Sequence, residues 1–129
     1  KMKVADGLLY TKEHEWVKIE GNKAKVGITD YAQHKLGDIT FVEPPESGFE
    51  VKAGSPFTGI ESVKAASDIY SPISGRIVSF NKELENSPEL INSSPYEKGW
   101  IVEINVKDPS EASALMDAAA YKKYIEGLE

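Results

Sequence analysis

The run Gly59-Ile60-Glu61-Ser62-Val63-Lys64-Ala65-Ala66-Ser67-Asp68-Ile69-Tyr70-Ser71-Pro72-Ile73-Ser74-Gly75 decides how the rest of the chain is read. Two arms rich in β-formers, residues 57–62 and 68–71, flank a short polar centre, which is the pattern of a hairpin with Lys64 in its turn. A lysine at such a tip projects into water. Pro72 and Ser74-Gly75 close the second arm, because proline has no N–H for a ladder and glycine accepts the backbone of a tight turn.

Outward from this hairpin the same short spacing continues. Residues 15–19 and 23–28 alternate apolar with polar on either side of a Glu20-Gly21-Asn22 turn, and so predict a second hairpin. Asp30 is the expected cap of a short helix, with Gln33 three residues on and Gly37 as its stop. Strands are expected at 39–43, ending at Pro44-Pro45, and at 76–80. Residues 83–94 are polar, contain Pro88 and read as a loop with a helical turn. In the last strand Trp100, Val102, Ile104 and Val106 should share one face. Asp108-Pro109-Ser110-Glu111 then combines a cap, a proline at the first helical position and a capping-box acid. The apolar stripe of Ala112, Leu115, Met116 and Ala119 does not align with that of Tyr121, Tyr124, Ile125 and Leu128, so two short helices fit better than one. Strands of about five residues are too short for βαβ units, and the fold class expected is all-β.

At 129 residues the chain suits one domain, and 40% hydrophobic residues give it enough apolar material for a core without staples. Cysteine is absent, which removes disulfides, thiolate metal sites and cysteine nucleophiles together. Any redox chemistry must be borrowed. Fifteen basic against 21 acidic residues leave a formal charge of −6, which argues against nucleic acid or an anionic membrane and for protein partners. Lys1 ahead of Met2 leaves open a start at Met2 or a removed leader.

Enzyme motifs are scarce in the sequence. His14 and His34 stand 20 residues apart with no metal spacing around them, and there is no G-x-S-x-G elbow and no phosphate-binding glycine loop. No catalytic and no metal-ligating residue is assigned.

Further blocks accompany Glu61-Ser62-Val63-Lys64-Ala65: Tyr10-Thr11-Lys12-Glu13-His14-Glu15-Trp16-Val17, Val26-Gly27-Ile28-Thr29-Asp30-Tyr31-Ala32-Gln33, Leu36-Gly37-Asp38-Ile39, Pro88-Glu89-Leu90-Ile91-Asn92, and Pro95-Tyr96 before Gly99-Trp100. In this order, over nearly the whole chain, they resemble the glycine cleavage H-protein family of lipoyl carriers. A biotinyl carrier would show Met on both sides of the lysine, where Val63 and Ala65 stand. Pro44 departs from the family's usual Leu, which affects the local strand end alone.

The resemblance implies a lipoyl-type barrel-sandwich hybrid with short flanking α-helices: a single lipoyl-carrier domain over residues 1–129 with a helical segment at 109–128. It implies lipoic acid covalently attached to Lys64 within the motif of Glu61, Ser62, Val63 and Ala65, and no turnover by the protein itself. Its partners would be a pyridoxal-phosphate glycine decarboxylase, a folate-dependent aminomethyltransferase, a dihydrolipoyl dehydrogenase, and a lipoate ligase or lipoyltransferase that finds the hairpin through Glu61 and its neighbours. The loaded arm would fold into a cleft bordered by His14, Glu15 and Asp68, with Glu15 supplying a carboxylate to the cationic amine. A monomer in bacterial cytoplasm, or in the mitochondrial matrix if the source is eukaryotic, is expected. Two alternatives stay open: a relay that hands lipoate to other lipoyl domains, and an interaction domain with Lys64 unmodified.

Overall fold

Alternation builds the larger of two sheets. In β2 (Glu15–Glu20) and β3 (Lys23–Ile28), Val17, Ala24, Val26 and Ile28 turn inward while Lys18, Lys23 and Lys25 face water, and the register pairs Glu20 with Lys23 around the turn. The computed structural model describes residues 2–128. Its six-stranded antiparallel sheet runs, by neighbour, β1 (Leu9–Tyr10), β2, β3, β9 (Val102–Val106), β8 (Gly75–Phe80) and β5 (Glu50–Val51). The second sheet has three strands, β4 (Ile39–Val42), β6 (Pro56–Ser62) and β7 (Ala66–Tyr70), with β6 in the middle. Neither sheet closes into a barrel.

The inner faces of both sheets share one cluster: Ile39, Val42, Ile60 and Ile69 from the smaller sheet pack with Val26, Ile77, Val102 and Ile104 from the larger. A second cluster lies to the side, where Tyr10, Trp16 and Tyr31 meet Tyr121 and Ile125 of the C-terminal helix α4 (Ala118–Leu128). Tyr10 and Tyr121 stack with centroids 4.5 Å apart, and the Trp16 indole lies so close over Gly27 that a Cβ there would sit 2.7 Å from its ring.

Several local expectations are corrected. The cap of α1 (Asp30–Leu36) is Thr29, whose Oγ1 accepts from Ala32 N at 3.1 Å; Asp30 is the first helical residue, and its carboxylate accepts from the Gln33 side chain. Gly37 ends the helix with φ +83°, as expected. Residues 83–94 contain two short helices, α2 (Glu83–Asn86) and α3 (Leu90–Ser93), each held by one buried anchor, Leu84 and Ile91. Ile101 precedes β9 and is fully buried in the main cluster, while Trp100 packs beside Trp16 and Tyr96, so the strand's alternation does not extend back to 100. Asp108 does cap, but Pro109–Ala114 is a 3₁₀ helix and Glu111 completes no capping box: its carboxylate accepts from Ser74 N at 2.7 Å and Ser74 Oγ at 2.8 Å. Met116 does not continue a helical stripe and instead bridges to the Tyr10 backbone in both directions, at 2.8 and 2.9 Å.

Gly75 is the tightest point of the larger sheet, because a Cβ built on it would stand 2.1 Å from Asn105 O on β9. Gly75→Ala should therefore break the end of the β8–β9 ladder and lower stability by about 3 kcal/mol. Thermal melting should show a drop of roughly 10 °C with the lysine hairpin's sequence unaltered.

Candidate functional site

The β6–β7 register pairs Ile60 with Ser67 and Glu61 with Ala66, which leaves residues 62–65 as the turn. Ser62 organises it. Its N–H donates to Ala65 O at 2.8 Å, and its Oγ accepts from Lys64 N at 3.3 Å and Ala65 N at 3.1 Å. A serine hydroxyl that binds the backbone two and three residues on is a local substitute for ladder bonds, so the motif's serine has a structural reason. Val63 N donates to Asp38 O at 3.0 Å, tying the tip to the chain just after α1.

Lys64 is exposed, and among the described residues its ammonium makes no ion pair. Its stem runs past Gly37, where a Cβ would approach Lys64 Cε to 3.1 Å. Glycine at 37 thus serves twice, through its positive φ and through the room it leaves for the lysine. Glu61 is exposed, stands opposite Phe41 and Ala66, and its carbonyl accepts from Thr40 Oγ1 at 3.2 Å. Val63 and Ala65 are exposed beside the lysine.

Glu15 opens β2 and is 2% exposed. Thr11 Oγ1 donates to its Oε1 at 2.5 Å and accepts from its N–H at 3.1 Å, while Tyr70 N donates to Oε2 at 3.2 Å. Burial outweighs these bonds and pushes the carboxyl up to about 7, so it exchanges a proton near neutrality. It borders a cavity of about 490 Å³ shared with Thr11, Glu13, Tyr70, Pro72 and Leu115. Thr11 is a residue that sequence reasoning missed, because a threonine four residues before an acid in a loop carries no readable signal.

The structure places the three expected cleft residues in three settings. His14, the one described non-glycine residue with positive φ, at +74°, sends its ring away from Glu15. Its Nδ1 lies 2.8 Å from the Tyr121 hydroxyl, its ring packs on Tyr31 and Tyr124, and burial lowers its pKa. It does not line the Glu15 cavity. Asp68 is exposed on β7 opposite Gly59 and borders a separate depression with Glu43, Pro44 and Phe49. Asp68 and Tyr70 are two residues apart on β7, so Asp68 stands about 7 Å along the strand from the Tyr70 N–H that binds the Glu15 carboxylate, and it does not line the Glu15 cavity. No group of three or more potential metal ligands occurs among the described residues.

Residues 8–127 match the family model described as Glycine cleavage H-protein. The chain is 55% identical over 125 residues to the glycine cleavage system H protein of Coprothermobacter proteolyticus, covering 96% of this chain and 98% of that one. It is 52% identical over 118 residues to the namesake protein of Halalkalibacterium halodurans, covering 92% of each. The crystal structure of a glycine cleavage system H protein from Mycobacterium marinum superposes with a TM-score of 0.82 at 34% identity, over 93% of this chain and 97% of the other. Two facing sheets with short helices and no closed barrel fit that fold, the lipoyl-type barrel-sandwich hybrid. With a model match over nearly all of its length and relatives above 50% identity, the chain belongs to the glycine cleavage H-protein family.

Proposed function

We propose that this protein is the lipoyl-bearing carrier of a glycine cleavage system, with lipoic acid in amide linkage on Lys64. It moves the aminomethyl group of decarboxylated glycine between a pyridoxal-phosphate decarboxylase, a folate-dependent aminomethyltransferase and a dihydrolipoyl dehydrogenase, and is itself without turnover. The observation that carries this reading is Lys64 at the free tip of the Glu61-Ser62-Val63-Lys64-Ala65 hairpin in a chain of the H-protein family. The residues fit the group: the ammonium is unpaired among the described residues, and its stem has a track over Gly37. The lipoyl dithiolane supplies the disulfide and dithiol chemistry that a chain without cysteine cannot. The 129 residues act as one domain and as a monomer; bacterial relatives support a cytoplasmic setting.

The chain's own residues do three things in this picture. Lys64, as the neutral amine, bonds through Nζ to the carbonyl carbon of an activated lipoyl donor, whose leaving group departs while the nitrogen loses a proton to solvent. Ser62 fixes the turn so that the lysine is presented in one orientation. Glu15 offers the cargo amine a carboxylate in a site walled from water, and a cation arriving beside it favours the ionised form that burial resists. Asp68 stands two residues before Tyr70 on β7, and His14 contributes through the backbone turn that aims Glu15.

Lys64→Arg keeps the charge but offers no neutral amine at working pH. It should fold as the parent does and gain no lipoyl mass after expression with lipoate; a lipoyl increment on the variant would overturn the assignment. Glu15→Ala should release ammonia and formaldehyde faster than the parent from aminomethylated protein, with lipoylation unchanged. The Glu15 carboxyl is held above its unfolded value, so the folded chain binds more protons than the unfolded one between about pH 4.5 and 7, and the parent loses stability as pH rises through that window. Glu15→Gln does not titrate. Its melting temperature relative to the parent should climb from pH 4.5 to 7 and level off above, and a flat difference would show that the carboxyl titrates normally.

A further inference from the structure

An irregularity in β4 turns an aromatic ring outward beside the lysine hairpin. Ile39 pairs with Ser62 and Phe41 with Glu61, so two residues of advance on β4 meet one on β6, and Thr40 is the extra residue of a bulge. In an unbroken strand Ile39 and Phe41 would share a face, and Ile39 is 3% exposed in the main core. The bulge breaks that parity: Phe41 is 46% exposed, directly across from Glu61 and two ladder positions from the tip, where Val63 is 68% exposed. Leaving these side chains in water forgoes burial that the adjacent core could have supplied to Phe41.

The charges around this apolar pair share one sign. Glu61 stands between Phe41 and Ala66 on the outer face; the next outward row holds Glu43 and Asp68 on either side of Gly59; Asp38 lies behind the Val63 N–H. All four acids are exposed.

We propose that Phe41 and Val63, rimmed by Asp38, Glu43, Glu61 and Asp68, form the surface on which the enzyme that acylates Lys64 docks, a partner with an apolar recess for the Phe41 ring and a cationic rim. This rests on the reading of Lys64 as the modified residue. An acyl donor held in an active site can reach Nζ only if that enzyme covers the tip, so the residues next to the tip are covered in any productive complex. Aromatic anchors inside a polar rim carry most of the binding energy in such contacts, and the acidic rim steers the encounter.

The test is a timed acylation of the full chain by a bacterial lipoate ligase with lipoate and ATP, followed by intact mass. Phe41→Ser and Val63→Ser should each lower kcat/KM about tenfold through KM, with kcat at saturating carrier and the melting temperature close to the parent's. Leu128→Ser removes an apolar side chain of like exposure, 48%, on the C-terminal helix, and should be acylated at the parental rate. Parental kinetics for Phe41→Ser, or an equal loss in Leu128→Ser, would overturn the docking surface while leaving Lys64 in place. A parent that gains no lipoyl mass would overturn the reading of Lys64 and the docking surface with it. Phe41→Leu, which keeps an apolar side chain, should recover most of the KM; no recovery would also count against the proposal.

Discussion

A three-stranded sheet cannot hold a hairpin tip rigid by its own hydrogen bonds, and burial of its inner face against the six-stranded sheet is what the site depends on. Ile39, Val42, Ile60 and Ile69 are each at most 5% exposed and join Val26, Ile77, Val102 and Ile104 in one cluster. Each such side chain contributes roughly 1.5–3 kcal/mol when removed from water, against about 1 kcal/mol net for a hydrogen bond of the turn. The anchoring is beneath the hairpin. Lys64 can therefore be exposed at the tip, its stem passing Gly37, while the strands on either side of it stay fixed, which is the combination the proposed lipoyl arm needs.

A second set of contacts links the C-terminal helix to the same region. Thr29 Oγ1 caps α1 and also lies 2.7 Å from the Tyr121 hydroxyl, which in turn meets His14 Nδ1. One hydroxyl of α4 thus bears on the start of the helix whose end, Gly37, borders the Lys64 stem, and on the turn that delivers Glu15 to β2. The buried carboxyl shows the cost of this arrangement. The two hydrogen bonds it accepts, from Thr11 Oγ1 and from Tyr70 N, do not restore what water would give, and its pKa is pushed up to about 7. A carboxyl kept at the edge of ionisation responds to an arriving cation, whereas one fully hydrated would be ionised with or without it.

Much of this was legible in the sequence where a single local pattern had one solution. The β2–β3 hairpin follows from its alternation, Gly37 from its place after an amphipathic turn, and Lys64 from two β-rich arms around a small polar centre. Local patterns failed where two residues could serve equally or where a distant partner decided. Thr29 and Asp30 are both competent caps, and the contact with Tyr121 settles the matter from 92 residues away. Glu111 had the spacing of a capping box, yet Ser74 offered two donors across 37 residues. Glu15 carried no mark of burial, since an acid at a strand end is ordinarily solvated and its partner on β7 is 55 residues off. The Phe41 bulge was invisible because it concerns the pairing of two strands and not the composition of either.

Charge bears on the proposed carrier role. Amide formation on Lys64 would remove a cation next to the exposed Asp38, Glu43, Glu61 and Asp68, so the modified tip would be one unit more negative than the unmodified one. Long-range attraction to a cationic partner would then raise the rate of encounter without lengthening the stay, because exposed charges are screened within about 8 Å at physiological salt and hold little energy per pair. The apolar area at the tip is a ring and a valine, enough to register a partner and too small to retain it. The proposed carrier, visiting several active sites in turn, would be served by fast arrival and weak holding, and both would follow from leaving these acids and the Phe41 ring in water.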